Sequence, residues 1–494
     1  MKLLALRLCA HDSSFCYFNG HELKYLKTER TKGIKHHAYN SLTDWKHDFV
    51  ELFNEDINKI DQIGIVVDSP STSIATSNAV QFNELELPCK TWRINHHYAH
   101  ALSVWMIADR QPDVSIVMDG FGDLDHCWTV FKGDTVIDRG TVGVNGSLGM
   151  ETAQAGRYLG IGAQHYIDIP GKLMGLQSYG TISNKFIQSL DKHSIRDIHK
   201  LFSFSNWVQY IGDETVARLL PLDWIRSLHH KTGELLVNFF KEYVSPDQSV
   251  SFTGGVAQNV LWNTELKNYF KNIIIPPHST DDGLTLGIIE WLRIHNNIPP
   301  FKLASFPFIQ QDEAPLEEPT PDVIKRAAYL LSQGHSVGWY QGHGEIGPRA
   351  LGNRSVLLDP RISNGRTLIN NIKKRENYRP FGASVLYEHK DSFFEINNDS
   401  FMLFVAKVKT DMLQSITHVD GTCRVQTVEK NAPNKCFRQL LEEFYKLTKC
   451  PVLLNTSLNL AGKPLAGTVS DAKKFLYSTS LDYIVIGNEI LEKP

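Results

Sequence analysis

The chain has 494 residues, of which 42% are hydrophobic and 21% charged, a composition typical of a globular protein with two or three domains. Its formal net charge is −3, which argues against a chain that binds polyanions over its whole surface, so any anion site must be built locally. No stretch approaches about 18 uninterrupted apolar residues, so no membrane span is expected, and the seven cysteines include no CxxC pair, which predicts a reducing, cytoplasmic location.

The predicted elements alternate between strands and helices along the chain. Residues 2–8 and 114–120 are apolar runs typical of buried strands, and a third run, residues 249–255, ends in glycines. Apolar residues recur with helical spacing over residues 96–108 and 232–244. Because strands and helices alternate, we predict the α/β fold class.

A stretch rich in proline divides the chain. Residues 297–322 contain few periodic apolar positions, which is typical of an extended linker. A helical pattern and a strand follow it. We therefore predict a first domain over residues 1–300, a linker over 301–320 and a second domain over 321–494.

Two histidines share one face of the first helical stretch. His96 and His100 are four residues apart, a spacing at which two imidazoles can chelate one metal ion. Asp119 lies just past a buried strand, and Asp281 and Asp282 lie in a turn before a helix. A mixed set of nitrogen and oxygen ligands suits Fe²⁺, Mn²⁺ or Mg²⁺. The alternatives are ordinary surface histidines, in a chain that has 20, and aspartates that cap helices or turns.

Glycine turns are candidate phosphate sites. Residues 251–259 predict a strand, a glycine pair and a helix, and backbone N–H groups at such a helix start bind phosphate. Gly254, Gly255 and Asn259 are therefore predicted to contact a nucleotide. Lys172, in a second glycine-rich turn, is a further candidate. The first turn is not a Walker loop, because the chain has no GxxxxGK[ST] motif.

The stretch GEIGPRALGNRSVLLDPR, residues 344–361, combines permissive glycines with three arginines. Guanidinium groups are planar forks that match phosphate or carboxylate oxygens, so an anion-binding loop is predicted, with a solvated surface turn as the alternative. More cations follow beside turn residues and apolar strands, at Lys373, Arg375, Arg379 and Arg424. This pattern predicts that the second domain surrounds a buried anionic ligand.

In their order along the chain, these motifs resemble those of the NodU/CmcH-type O-carbamoyltransferases. The resemblance rests on HDSS, ER…KHH, NHHYAHA, MDG, GKLMGL, GGVAQN, DDG, GPRALGNRS…DPR, IKKRE…RPF, HVDGTCRVQTV and LLNTSLN…GKP. It runs through nearly the whole chain, and its most specific parts are the GPRALGNRS stretch, RPF and DGTCRVQTV.

The resemblance implies an actin-like N-terminal domain followed by a YrdC-like C-terminal domain. It implies that ATP and carbamoyl phosphate give a carbamoyl adenylate in the second domain. The first domain would then pass the carbamoyl group to a hydroxyl of the acceptor. A divalent metal, iron(II) before manganese(II) or magnesium, would be held near the nucleotide by His96, His100, Asp119 and Asp281.

The resemblance also suggests roles for individual side chains. Lys373 and Arg424 would neutralise the two polyanionic substrates, and His11 and Asp12 are candidates for the base that activates the acceptor hydroxyl. The arginines expected to orient phosphate are Arg349, Arg354, Arg361 and Arg375.

Two departures from the family pattern bear on these expectations. Ala461 stands where many members carry an arginine, and Lys463 is a point charge that would replace it imperfectly. The segment LQSYG replaces the more usual APYG. The acceptor is left open among a sugar, an antibiotic scaffold and a nucleotide, and a homodimer is also left open.

Three other functions stay open at this point. A tRNA-modifying threonylcarbamoyl-type transferase would call for a basic surface, which the net charge does not support. A small-molecule kinase of the same superfamily would need a Gly/Thr phosphate loop in the first hairpin, and AHDSS does not supply one. A catalytically silent binding module would follow if Ala461 marked a decayed site.

Overall fold

The chain forms two compact units. The structure is a computed structural model that describes residues 1–67, 77–85, 87–314 and 316–493. Unit 1 comprises Met1–Arg7 and Leu42–Pro300, and unit 2 comprises Leu8–Ser41 and Phe301–Pro494.

Strands and helices of the described residues are numbered in chain order. Strands β1 to β20 are Leu3–Arg7, Ser14–Phe18, Leu23–Lys27, Gln62–Val66, Ala79–Gln81, Lys90–Ile94, Val114–Met118, His126–Lys132, Thr135–Thr141, Val250–Thr253, Ile273–Ile274, Val337–Tyr340, Arg354–Leu358, Gly382–Leu386, Phe394–Glu395, Val405–Val408, Thr422–Val428, Val452–Ser457, Tyr483–Ile486 and Glu489–Glu492. Helices α1 to α18 are Thr28–Lys32, Trp45–Phe53, His96–Trp105, Val142–Asn145, Leu148–Tyr158, Ile169–Leu176, Asn184–Ser189, Ile198–Leu201, Phe204–Ile211, Glu214–Leu219, Pro221–Lys241, Val260–Tyr269, Leu284–His295, Pro321–Ser332, Gly365–Lys373, Lys390–Phe393, Lys435–Thr448 and Val469–Ser478.

Unit 1 is built on two groups of paired strands. In the first, β1, β4 and β6 are parallel neighbours and β5 joins β6 antiparallel. In the second, the order is β11-β10-β7-β8-β9, with β10 parallel to both β7 and β11. The carboxyl ends of β7 and β10 therefore lie at the same edge, and Asp119 and Gly254 follow the two strands there.

Helices α3 and α13 of unit 1 approach each other closely. A Cβ atom at Gly287 of α13 would lie only 1.8 Å from the carbonyl oxygen of Ala99 on α3, so no larger residue fits this crossing. A single turn of 3₁₀ helix, Asp281–Gly283, leads directly into α13. The close crossing thus brings Asp281 towards the histidines of α3.

Unit 2 has a nine-stranded sheet in the order β15-β16-β17-β14-β18-β13-β12-β19-β20. Strands β14 and β17 are parallel, and β18 pairs antiparallel with β14 on one side and β13 on the other. The unit's core is formed by sheet residues such as Trp339 and Leu454 together with helix residues such as Leu331 and Phe444, all fully buried. Burial of this apolar surface is the main favourable term in its stability.

The N-terminal segment 8–41 belongs to unit 2, whereas the sequence predicted it within a domain spanning residues 1–300. Its strand β3 exchanges hydrogen bonds with residues of the proline-rich stretch: the backbone N–H of Lys27 donates to the Gln310 side chain at 2.8 Å, and Gln311 N–H donates to the carbonyl of Tyr25. Arg30, almost completely buried, donates to the carbonyl oxygen of Glu345 at 2.6 Å. These contacts are far apart in sequence, which is why no local pattern indicated them.

The predicted linker is also part of unit 2. Phe308 and Gln310 are buried, and the backbone of Gln310 exchanges two hydrogen bonds with Gly344, at the start of the arginine-rich stretch. A stretch with buried side chains and paired backbone groups is an integral part of a fold rather than a spacer. The predicted α/β class, by contrast, is confirmed in the described parts of both units.

Glu265 provides a test of the packing in unit 1. This residue of α12 lies against α11, where a Cβ at Gly233 would be 2.2 Å from its carboxylate. Burial first, and then the charge of Glu234, raises the pKa of Glu265 from its ordinary value of 4.5 to about 7. A raised folded-state pKa means that stability is greatest below the unfolded pKa and is lost as the pH rises through about 7.

We therefore expect Glu265→Gln to unfold at a higher temperature than the wild type near pH 8, and at the same temperature near pH 4. Thermal melts at both pH values measure this. Glu51→Gln, at an exposed glutamate of the same unit, is the matched control and should follow the wild type throughout. Equal melting temperatures for the Glu265 variant and the wild type at the higher pH would contradict the expectation.

Candidate functional site

The four side chains predicted as metal ligands converge in unit 1. Nε2 of His100 lies 3.0 Å from Oδ2 of Asp119 and 3.5 Å from Oδ1 of Asp281. Nε2 of His96 lies 3.5 Å from each of the same two oxygens. Bonds of ~2.1 Å from one ion set neighbouring ligand atoms about 3 Å apart. Two imidazoles and two carboxylates at this spacing therefore fit one divalent ion.

The start of helix α3 is held in place by a buried carboxylate. Asp123 accepts hydrogen bonds from the backbone N–H of His96 at 2.9 Å, from the Asn95 side chain at 3.0 Å and from the guanidinium of Arg93. Asn95 is the N-cap of the helix, and its own side-chain oxygen accepts from Tyr98 N–H. Because a carboxylate at a helix N-terminus also interacts favourably with the helix dipole, Asp123 fixes the helix that carries both histidines.

Arg7 supports the other side of the cluster. It ends strand β1, is 1% exposed, and donates from its guanidinium to Oδ2 of Asp281 at 3.0 Å. The second oxygen of Asp281 is the one that faces the histidines. Arg7 thus orients one predicted ligand from behind, in the way that outer hydrogen bonds orient metal ligands.

The histidines and aspartates of the cluster shift one another's pKa values. Burial alone would raise the pKa of Asp119, but hydrogen bonds from His100 and His96 outweigh it and hold the pKa below its usual value. Burial alone would lower the pKa of His100, but the carboxylates of Asp119 and Asp281 raise it. Without an ion, the two carboxylates therefore favour the positively charged imidazole, and a bound cation would take over that role.

The predicted nucleotide residues of unit 1 fall into two groups. Gly254 has a positive φ of 91°, and a Cβ at Gly255 would lie 3.0 Å from Oδ1 of Asp119, so the glycine turn abuts the predicted metal ligands. Asn259 caps helix α12 and donates to Nε2 of His229 at 2.8 Å, and Lys172 donates to a backbone carbonyl. The contacts of Asn259 and Lys172 fit a structural role at least as well as a ligand-binding one.

His11 and Asp12 lie in a compact charged group of unit 2. Nδ1 of His11 is 2.9 Å from one oxygen of Asp12, while the other oxygen is 2.9 Å from Nζ of Lys27 and 3.0 Å from Nδ1 of His36. Burial would raise the pKa of Asp12, but Lys27 and the two histidines hold it well below its usual value. Asp12 therefore stays ionised and orients the ring of His11.

Backbone strain marks the same group. Asp12 has a φ of 54° and His36 a φ of 57°, in the left-handed region that side chains rarely adopt. Nζ of Lys27 also lies 3.2 Å from Glu29. Asp12, Glu29 and His36 lie close enough together to hold a metal, but the two carboxylates are already paired with the ammonium group of Lys27. Strained residues of this kind are found where function requires a fixed geometry.

Unit 2 also contains a cluster of half-buried guanidinium groups. The arginine cluster comprises Arg349, Arg375, Arg379 and Arg424. Burial lowers the pKa of Arg349, Arg375 and Arg424, and the positive charges of neighbouring cluster members lower each of them further. Nε of Arg424 has no hydrogen-bond partner among the described residues. Desolvated positive charges that lower one another's pKa repel each other, and a bound anion would reduce that repulsion.

The acidic residue beside this cluster is engaged elsewhere. Asp399 accepts hydrogen bonds from the backbone N–H groups of Phe401, Leu403 and Phe404, at 2.8 to 2.9 Å. Burial, against these bonds and the charge of Arg424, raises the pKa of Asp399 to about 6. A carboxylate with a raised pKa and three backbone partners neutralises the arginines only in part.

Three other predicted cations have their donors engaged by the protein itself. Arg354 stacks on Tyr340 and donates to the carbonyls of Ala466, Gln341 and Gly342. Arg361 forms a two-point ion pair with Asp359. Nζ of Lys373 donates to oxygens of Ser457 and Asn459, and burial followed by the charges of Arg375 and Arg379 lowers its pKa well below the usual value. These contacts give all three residues a structural role in shaping the site.

Several residues of these sites escaped the sequence reasoning. Lys27 and Arg7 occupy ordinary strand positions, and only their burial identifies them, whereas His36 belongs to the KHH motif but was given no role. Arg379 was noted among the cations without an assigned role, although the RPF motif pointed to it. Lys463, the candidate replacement for the absent arginine, is exposed.

Comparison with known proteins shows the family of the chain. A model of the carbamoyltransferase N-terminus matches residues 71–289, and a model of the carbamoyltransferase C-terminus matches residues 328–493. The chain belongs to the carbamoyltransferase family. The family prediction drawn from the motifs is thereby confirmed.

Relatives of the carbamoyltransferase include nodulation proteins of root-nodule bacteria. It is 31% identical over 453 residues to nodulation protein NolNO of Sinorhizobium fredii, covering 82% of this chain and 64% of that protein. It is 31% identical over 447 residues to nodulation protein NolO of Bradyrhizobium diazoefficiens, covering 81% of this chain and 79% of that protein. The chain therefore spans less than two thirds of NolNO.

Solved structures overlap with parts of the carbamoyltransferase. HypF of T. kodakarensis gives a TM-score of 0.42 at 14% identity, over 60% of this chain and 48% of HypF. Component A of the Acidaminococcus fermentans (R)-2-hydroxyglutaryl-CoA dehydratase gives 0.34 at 11% identity, over 59% of this chain and 97% of that protein. Overlaps of this size carry no argument about function. Within the described ranges, no helix of the carbamoyltransferase is both long and apolar enough to cross a membrane.

The histidine–aspartate cluster predicts specific metal binding. His100→Ala removes one of four ligand atoms, so we expect metal affinity to fall by at least about tenfold and the purified variant to carry less metal. Metal analysis of the purified protein and titration of the metal-free protein measure this. The control is His97→Ala, on the same helix but outside the four ligands. Full metal occupancy in the His100 variant would refute the assignment.

Proposed function

We propose that this carbamoyltransferase is an ATP-dependent O-carbamoyltransferase that uses carbamoyl phosphate. With one water molecule, ATP and carbamoyl phosphate would give carbamoyl adenylate, pyrophosphate and phosphate. The oxygen of an acceptor hydroxyl would then attack the carbamoyl carbon, AMP would leave, and the hydroxyl proton would pass to a base. The proposal combines family membership with the charges of the described sites.

The arginine cluster is the observation that carries the first half of this proposal. ATP and carbamoyl phosphate are both polyanions, and they repel each other unless fixed cations lie between them. Arg349, Arg379 and Arg424 are cations in one another's electrostatic field, and two of them are desolvated. Fixed charges in a partly dry site stabilise a developing phosphate charge without reorganisation. We therefore assign adenylate formation to unit 2.

The roles within the cluster differ from those first expected. Arg349 and Arg424 are the candidates for direct contact with phosphate oxygens. Arg375 donates to the Asn370 side chain and to a backbone carbonyl, and it stacks on Phe381, so its position is fixed by the protein. Lys373 would act indirectly, by holding the turn that contains Ser457 and Asn459.

His11 is the proposed base or anchor for the acceptor hydroxyl. Asp12 orients the ring through Nδ1, and the imidazole is the group that would accept the hydroxyl proton. Lys27 keeps Asp12 ionised, so that the imidazolium formed in the transfer step would be stabilised. This is the logic of a His–Asp pair in acyl transfer, with a hydroxyl of the acceptor as the nucleophile.

His96, His100, Asp119 and Asp281 would hold a divalent cation, with iron(II) proposed before manganese(II) or magnesium. When bound, such an ion would polarise a carbonyl or phosphoryl oxygen. The adjacent turn at Gly254 and Gly255 brings the backbone close to Asp119, and we propose that nucleotide phosphate binds beside this turn. The acceptor is proposed only as a hydroxyl compound.

Adenylate formation should depend on Arg424. Arg424→Met removes a desolvated charge at similar side-chain length, so pyrophosphate release that depends on carbamoyl phosphate should fall about 100-fold or more. An enzyme-coupled pyrophosphate assay measures it. Arg326→Met, at an exposed arginine of the same unit, should behave like the wild type. Wild-type turnover in the Arg424 variant would contradict the proposal.

Carbamoyl transfer should depend on His11 while adenylate formation does not. His11→Asn keeps a polar side chain but loses the basic ring nitrogen, so carbamoylated acceptor should form about 100-fold more slowly. Pyrophosphate release should persist. Mass spectrometry of candidate alcohols incubated with both substrates measures the product. His21→Asn, at an exposed histidine of the same segment, is the control. Equal loss of both steps would remove His11 from the transfer step.

A further inference from the structure

The motifs DGTCRVQTV and LLNTSLN place polar residues in the middle of the unit 2 sheet, where apolar residues are usual. Gln426 on β17, Ser384 on β14 and Asn455 on β18 lie on three neighbouring strands, and all are buried. The Ser384 hydroxyl donates to Oε1 of Gln426 at 2.7 Å, and Nδ2 of Asn455 donates to the Ser384 oxygen at 2.9 Å. We call these three residues the amide clamp.

The amide clamp holds the backbone of the arginine-rich stretch. Nε2 of Gln426 donates to the carbonyl oxygen of Leu351 at 2.8 Å, and Nδ2 of Asn455 lies 3.4 Å from that of Ala350. These two residues directly follow Arg349 in the chain. Two strands of the sheet therefore hold the backbone next to Arg349, whose side chain belongs to the arginine cluster.

The same stretch is held from its other sides. Oε1 of Glu345 accepts from the N–H groups of Leu351 at 2.6 Å, of Arg354 at 3.3 Å and of Asn353 at 3.4 Å. Arg30 donates to the carbonyl of Glu345. The clamp differs from these contacts because one of its members, Gln426, lies on the strand that also carries Arg424. Gln426 and Arg424 are two residues apart on β17 and so lie on one face of the sheet.

The charges explain why such a grip is needed. Arg349 and Arg424 repel each other, and the repulsion is largest when no anion lies between them. A loop with this sequence has glycines at positive φ on both sides of Arg349, at Gly347 and Gly352, and could swing away to relieve the repulsion. Hydrogen bonds to the backbone oppose that movement without adding a counter-charge.

We propose that Gln426, Ser384 and Asn455 are positioning residues that hold Arg349 at the anion site against repulsion from Arg424. The proposal rests on the anion site assigned to unit 2 under the proposed function. It assigns a function to the polar residues of two motifs that neither the adenylation step nor the transfer step otherwise uses. Loosening the clamp should weaken anion binding more than it slows the bound substrates' reaction.

Gln426→Met tests the proposal in the full-length chain. Methionine is of similar length but cannot form the hydrogen bonds that Gln426 makes with Ser384 and Leu351. Pyrophosphate binding is followed by the rise in melting temperature, and steady-state assays give KM and kcat for carbamoyl phosphate. We expect the half-saturating pyrophosphate concentration and KM each to rise about tenfold, with kcat changed less, since a misplacement of about 1 Å is costly in such sites. Ser384→Ala, a smaller change that is expected to fold, should shift both quantities in the same direction by a smaller factor.

Two further variants separate the outcomes. Val385→Ala removes core volume from the same strand without touching the clamp, so it should lower the melting temperature but leave pyrophosphate binding at the wild-type level. Arg349→Met should abolish the pyrophosphate response. Wild-type binding and KM in both Gln426→Met and Ser384→Ala, with Arg349→Met defective, would overturn the clamp alone. Wild-type binding in Arg349→Met would overturn the anion site, and the clamp with it.

Discussion

Repulsion between half-buried arginines is the constraint on which the rest of unit 2 depends. Arg349, Arg375 and Arg424 are desolvated in one another's field, and each has a pKa lowered by burial and by its neighbours. Such an arrangement is unfavourable in itself and persists only when the surrounding fold prescribes it. The sheet, the Glu345 carboxylate and the N-terminal segment all bind the backbone of the stretch that carries Arg349. The stability of the folded core offsets this repulsion, so the arginines are held in position before a ligand binds.

The histidine–aspartate cluster and the group around Asp12 neutralise their charges in different ways. In unit 1, two carboxylates face two imidazoles, and Arg7 neutralises part of the charge of Asp281 from behind. This leaves a compact set of nitrogen and oxygen ligands that a divalent ion fits. In the N-terminal segment, the ammonium group of Lys27 stands among Asp12, Glu29 and His36 and supplies a built-in cation. The first arrangement suits a replaceable ion, and the second suits a permanent charge that orients an imidazole.

The sequence predicted those features that follow from local periodicity and missed those that depend on distant contacts. His96 and His100 were found because four residues make about one helical turn, and Asp119 because polar residues collect at the ends of parallel strands. The sequence did not distinguish the structural contacts of Arg354 from those of Arg424. Only the fold shows that the guanidinium of Arg354 donates to backbone carbonyls. The placement of segment 8–41 in unit 2 depends on two contacts that no local pattern indicates. Arg30 donates to the carbonyl of Glu345, and Lys27 donates to Gln310, which lies in a stretch without periodicity.

That discontinuous unit has a consequence for how the protein is made. Segment 8–41 is translated before most of unit 1, yet residues 301–494, with which it forms unit 2, are translated after unit 1. Unit 1 can therefore begin to fold during synthesis, whereas unit 2 must wait until the residues that follow unit 1 have been translated. A truncated message would yield a chain with the histidine–aspartate cluster but without the partners of Arg30. The arginine cluster can thus form only after the strands that follow unit 1 have been translated.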